Sequence, residues 1–140
     1  MRQILLFAAL AASLALLSGC ALSKAKEDKA EDMSDKAAYH KLGAEEAYEM
    51  MASQEVVVVD VRTREEYDGG HIENAVLVPN ESIDSEMPEA LPDKEATLLV
   101  YCRSGRRSKD AAQKLLALGY QSVYDFGGVI DWPYELVKEG

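Results

Sequence analysis

Four short apolar runs rich in β-branched residues, spaced between residues 56 and 126, constrain its fold more than any other feature. They are "VVVVD" (Val56–Asp60), "AVLVP" (Ala75–Pro79), "TLLVYC" (Thr97–Cys102) and "SVYDF" (Ser122–Phe126). Runs of that length and composition suit strands buried on both faces. Helical spacing appears in "AEEAYEMMA" and in "SKDAAQKLLALG", which sets Ala111, Ala112, Leu115 and Leu116 on one face and Gly119 where a C-terminal cap would stand. Strands alternating with helices at this scale predict an α/β fold, a mostly parallel sheet with helices on both faces. A length of 140 residues allows one such domain, expected over residues 39–140.

The chain upstream of it reads differently. Residues 1–19 have a basic start at Arg2 and the uncharged run "ILLFAALAASLALL", which together predict a signal peptide too short to be a membrane span. "LSGC", Leu17–Cys20, then resembles the lipobox of bacterial lipoproteins, in which cleavage leaves the cysteine as a lipid-bearing N-terminus. Residues 20–38 alternate in charge without aromatic or β-branched side chains, and predict a tether, as coil or as a solvated helix. As coil, a segment of this length spans about 25 Å. Lipidation at Cys20 would anchor the domain to a membrane and place it in the cell envelope. Periplasm-facing outer membrane of a Gram-negative cell is the expected location, since Ala21 rather than an aspartate follows Cys20.

With Cys20 assigned to lipid, Cys102 is the one thiol left, so no disulfide is expected within the mature chain. Twenty-five acidic against fifteen basic residues exclude a broad basic face and, with it, nucleic acid as a partner. Yet the segment "CRSGRRS" gathers three arginines directly behind Cys102. It falls between a predicted strand end and a helix start, the rim where ligands of a parallel sheet collect. A tight loop there aims successive backbone N–H groups at one point, and the helix dipole adds partial positive charge. A cysteine at the head of such an anion cradle has its thiolate favoured. Gly105 frees the backbone in mid-turn. Basic residues oppose the dipole at a helix start unless an anion is to be bound, and a buried structural cysteine would give no reason for so basic a loop.

Taken with "VVVVDVRTREEYDGGHIENAVLVP", the loop resembles the single-domain rhodanese, or sulfurtransferase, family. The matching positions are Asp60, Arg62, Glu66, Tyr67, Gly70, His71, Ile72, Ala75 and Pro79, with a late glycine pair at Gly127 and Gly128 and a tryptophan at Trp132. Asn74, where the family often has glycine, and Gly69, which doubles the glycine before His71, depart from the pattern. The resemblance implies a rhodanese-like fold and a persulfide mechanism. The Cys102 thiolate would attack the outer sulfur of thiosulfate or a similar small sulfur-containing anion, and a thiol or cyanide-like acceptor would then take the sulfur. Cys102 and Arg107 are the expected catalytic residues, Arg107 and the loop amides stabilising the anionic sulfur and the departing sulfite. Arg103, Ser104, Gly105 and Arg106 are expected to bind the donor. Asp60 and Arg62 are expected to support the loop, an Arg62–Glu66 ion pair being one way to do so.

No cofactor or metal is expected, and His40 lies in no ligand pattern. His71 reads as a hydrogen-bonding staple rather than a general base, and Trp132 and the tyrosines as packing. Two other functions compete. A cysteine phosphatase or arsenate reductase would need arginine six positions after the cysteine, where this chain has Ser108. A binding or redox-sensing module would use the same fold without turnover.

Overall fold

The computed structural model describes residues 37–139; the predicted signal peptide, the lipobox with Cys20 and nearly all of the tether lie outside them. Five strands form one parallel sheet: β1 (Tyr39–Lys41), β2 (Val57–Asp60), β3 (Val76–Leu77), β4 (Thr97–Cys102) and β5 (Ser122–Gly128), in the order β1-β5-β4-β2-β3. Three helices connect them: α1 (Ala44–Ser53), α2 (Arg64–Asp68) and α3 (Arg106–Ala117). The α/β architecture with a parallel sheet is the one expected. All four predicted strands form, with β3 shortened to two residues and β5 running on through the glycine pair. The edge strand β1 was not anticipated, since "YHK" has no apolar run to betray it.

Alternation along the strands divides the core in two. Val59, Leu98, Val100 and Cys102 face α3, packing with Ala111, Ala112 and Leu115. Val58, Leu99 and Tyr101 face the other way, toward Ala47 of α1 and Tyr67 of α2. Side chains two apart share a face of a strand, so Cys102 belongs to the α3 side and its neighbour Tyr101 to the opposite one. Ala111, Ala112 and Leu115 are fully buried as the helical spacing requires, and Gly119 adopts the left-handed φ of +96° that ends the helix.

One irregularity in the sheet matters to the site. Val100 pairs with Asp125, but Cys102 pairs with Gly128, so two steps on β4 oppose three on β5. The extra residue is a bulge, with Gly127 at φ +91°. It brings the glycine pair against the loop that follows Cys102.

Candidate active site

Cys102 ends β4, and Arg103, Ser104 and Gly105 turn the chain into α3. Gly105, at φ +99°, supplies the left-handed turn that glycine adopts without steric cost, and its N–H points at Cys102 Sγ from 3.0 Å. The loop packs onto the bulge: the Arg103 carbonyl accepts from the Ile130 N–H at 3.2 Å, and Gly128 lies directly beneath the Arg103–Ser104 peptide. Cys102 is only 1% exposed, at the floor of this cradle.

Burial is the largest influence on the Cys102 thiol and pushes its pKa up; the Ser108, Gly105 and Ser104 amides and the Ser108 hydroxyl outweigh it and leave the thiol below its ordinary value. The Ser108 hydroxyl has a single proton. Its strongest acceptor is the Asp125 carboxylate at 2.7 Å, so the amides carry the effect. The arrangement is the one expected of the loop, with converging N–H groups at a helix start favouring a sulfur anion.

The arginines divide. Arg103 and Arg106 are exposed on the loop and, among the described residues, have no ion-pair partner. Arg107 is held instead by Glu66, through Nη1 to Oε2 at 2.7 Å and Nη2 to Oε1 at 2.8 Å. Glu66 also closes the capping box of α2, accepting from the Thr63 N–H while the Thr63 hydroxyl accepts from its own N–H. The Arg107 guanidinium holds the Glu66 carboxyl down at about 2. This corrects the expected Arg62–Glu66 pair: Glu66 clamps α3 to α2, and Arg107 arrives at the loop with its charge already matched.

Arg62 pairs with Asp60 instead. Asp60 Oδ2 accepts from Arg62 Nη2 at 2.6 Å and from the Tyr101 hydroxyl at 2.7 Å, and Asp60 Oδ1 accepts from the Arg62 backbone N–H. Arg62 also donates to the Gly70 carbonyl, and the Tyr101 hydroxyl accepts from the Ile72 N–H. Burial first, and then the Asp60 charge, push the Tyr101 hydroxyl well above its ordinary value. The cluster fastens the end of β2 and the 70–72 turn to the residue preceding Cys102, on the far face of the sheet. Its side chains hydrogen-bond to none of residues 103–108, and Arg62 lines the groove beside Arg103.

His71 is a staple, as expected. It stacks on Tyr67 with ring centroids 3.6 Å apart, its Nδ1 donates to the Tyr67 carbonyl, and its backbone pairs with Val137. Asn74 takes a left-handed φ of +63°, which explains how it stands in for glycine. His40 stacks on Tyr124, and no metal-binding cluster occurs among the described residues.

Asp125 escaped the sequence reading. It is fully buried on β5 under the cradle and accepts from Ser108 Oγ at 2.7 Å, the Gly127 N–H at 2.8 Å, the Tyr39 hydroxyl at 2.6 Å and Lys41 Nζ at 3.2 Å. A charged residue inside the apolar run "SVYDF" was the signal that could have exposed it.

Beside the loop, Arg62, Glu65, Glu66, Arg103, Ile130 and Leu136 are among the residues lining a groove of about 330 Å³. Ile130 is 63% exposed there.

Comparison with known proteins gives the family and the fold. Residues 43–133 match the family described as "Rhodanese-like domain". A tRNA uridine(34) hydroxylase of Yersinia pestis is 32% identical over 106 residues, 72% of this chain and 30% of that protein. The chain thus spans about 30% of the length of the curated relatives it matches. Among solved structures, a rhodanese with anions from E. coli is 35% identical, covering 59% of this chain and 98% of that one with a TM-score of 0.54. A human single-domain sulfurtransferase is 26% identical, covering 66% and 93%, with a TM-score of 0.60.

Proposed function

Since the chain belongs to the rhodanese-like domain family, we propose that it is a sulfurtransferase that carries a sulfane sulfur on Cys102. The observation behind this reading is the Gly105 N–H aimed at Cys102 Sγ from 3.0 Å, at a strand-to-helix turn whose amides favour an anionic sulfur.

The Cys102 thiolate attacks the outer sulfur of thiosulfate; the Sγ–S bond forms, the S–S bond of the donor breaks, and its electron pair leaves with sulfite. The persulfide anion now occupies the cradle, stabilised by the same amides. An acceptor thiolate or cyanide then attacks that outer sulfur, and Cys102 departs as thiolate. No external oxidant or reductant enters. With Arg107 matched by Glu66, the exposed Arg103 and Arg106 draw the donor in, and the acceptor approaches over the groove beside Arg103.

Burial of Cys102 to 1% favours a slender sulfane-sulfur donor over a bulky electrophile. Ser108, in the place where an oxyanion-clamping enzyme would have arginine, turns its hydroxyl to Asp125, which weighs against a phosphatase or arsenate reductase. We also place the protein in the cell envelope, anchored through lipid on Cys20.

The test uses the full chain carrying Cys20→Ser, so that Cys102 is its one thiol. Incubation with thiosulfate should add the mass of one sulfur atom, and cyanide should remove it as thiocyanate; Cys102→Ala should gain nothing. No adduct on reduced protein across several sulfane donors would reject the reading and favour a binding module.

A further inference from the structure

Asp125 presents a problem that the sulfur-transfer reading leaves unanswered. It is fully buried, and its two oxygens face four donors, one of them the Lys41 ammonium in an ion pair. It lies under a cradle built to hold a second anion, and like charges in a poorly hydrated place disfavour one another. The structure supplies a countercharge. Lys41 Nζ is 3.2 Å from Asp125 Oδ2, and it lies 3.3 Å and 4.0 Å from the points where a Cβ on Gly127 and on Gly105 would stand. The ammonium therefore sits against the backbone of the residue whose N–H meets Cys102 Sγ. Its side chain is 52% exposed, so it is not there to fill the core.

We propose that Lys41 and Asp125 form a charge pair that positions the loop and sets how readily Cys102 ionises. Asp125 holds Ser108 and Gly127 in the geometry the cradle needs, and Lys41 cancels the charge this would otherwise impose on the thiolate. Both are positioning residues; neither touches a reacting atom. The inference rests on Cys102 being the sulfur carrier.

Of the other charges near Cys102, Arg107 also feels the sulfur's charge, but it is shared with Glu66 and Glu81. Arg103 and Arg106 project from the loop into solvent, and Arg107 is matched by Glu66 of α2. At the end of β2, Asp60 pairs with Arg62 two residues on. Tyr39, beside Lys41 on β1, donates its proton to Asp125 and adds no charge.

The pair predicts shifts of opposite sign. In the full chain with Cys20→Ser, thiolate formation at Cys102 is followed by ultraviolet absorbance against pH, with Cys102→Ser as blank. Lys41→Met should move the midpoint up, by about half a pH unit or more, because the carboxylate is left unmatched. Asp125→Asn keeps an acceptor for Ser108 and Gly127 and should move it down. Lys41→Arg should restore the parental midpoint, and the double variant Lys41→Met/Asp125→Asn should fall near it.

Upward shifts in both single variants would mean that the residues merely brace the loop, and would overturn the proposal. So would an unchanged midpoint in Lys41→Met, a surface substitution that leaves Asp125 in place should Asp125→Asn fail to fold. The titration needs no sulfur donor, so it stands or falls separately from sulfur loading.

Discussion

A Cβ on Gly128 would lie 2.2 Å from the carbonyl oxygen of Arg103, so the residue paired with Cys102 across the sheet must be glycine for the cradle to sit where it does. The nearest atoms are backbone and cannot swing aside. Gly128→Ala should displace the Arg103–Ser104 peptide, lowering stability by about 1–3 kcal/mol as overpacking does. Sulfur loading measured by intact mass should fall at least about tenfold, a barrier increase of about 1.4 kcal/mol. Unchanged loading would show that the loop does not need this packing.

Glu66 gives the fold an acid-sensitive clamp. Its carboxyl is held at about 2, below the ordinary value of 4.5, chiefly by Arg107. A depressed carboxylate stabilises the fold above its ordinary value, and this contribution disappears as pH falls from about 4.5 through about 2. Glu66→Gln should therefore flatten the loss of stability over that window, measured by denaturant unfolding at several pH values. An acid limb as steep as the parent's would refute the assignment.

The Asp60–Arg62 pair is buried on both sides, at 0% and 5% exposure. Asp60→Ala strands a guanidinium in the core and also removes the acceptor of the Tyr101 hydroxyl. Such a loss costs about 3–5 kcal/mol. Thermal unfolding should show it, and a drop below about 1 kcal/mol would place the pair outside the structural core.

Cys102 should react with iodoacetamide at lower pH than an unfolded cysteine, since the surrounding amides hold its pKa below the ordinary value. Folding should slow a bulky maleimide far more than iodoacetamide, each rate taken relative to the denatured protein, because the residue is 1% exposed. Rates against pH in native and denatured protein check both. Equal slowing of the two reagents would mean that the loop does not shield the sulfur.

Lipidation is tested by fractionating cells that express the full chain. We expect it in the membrane fraction, with residues 1–19 removed and the intact mass of the purified protein raised by acyl chains on Cys20. Membrane-bound protein whose mass shows no acyl chain would rule out anchoring through Cys20.

Local text and periodicity carried most of the architecture. Val56–Asp60, Thr97–Cys102 and the Ala111, Ala112, Leu115 stripe announce their elements because apolar residues recur at the periods of strand and helix. Cys102 and Gly105 were legible for a related reason: a strand end, a turn and a helix start adjoin in sequence, so their chemistry could be read from one segment.

What joins distant segments was not written locally. Arg107 meets Glu66 across 41 positions, Asp125 meets Lys41 across 84, and Gly128 underlies Arg103 only because of a bulge in β5. The sequence by itself determined β2 to β5, helices α1 and α3 and the anion-favouring turn, since each depends on neighbours along the chain. Tertiary structure alone decided which arginine is matched and which carboxylate lies beneath the thiol, because ion pairs and close approaches depend on distance in space, which strand order and register set.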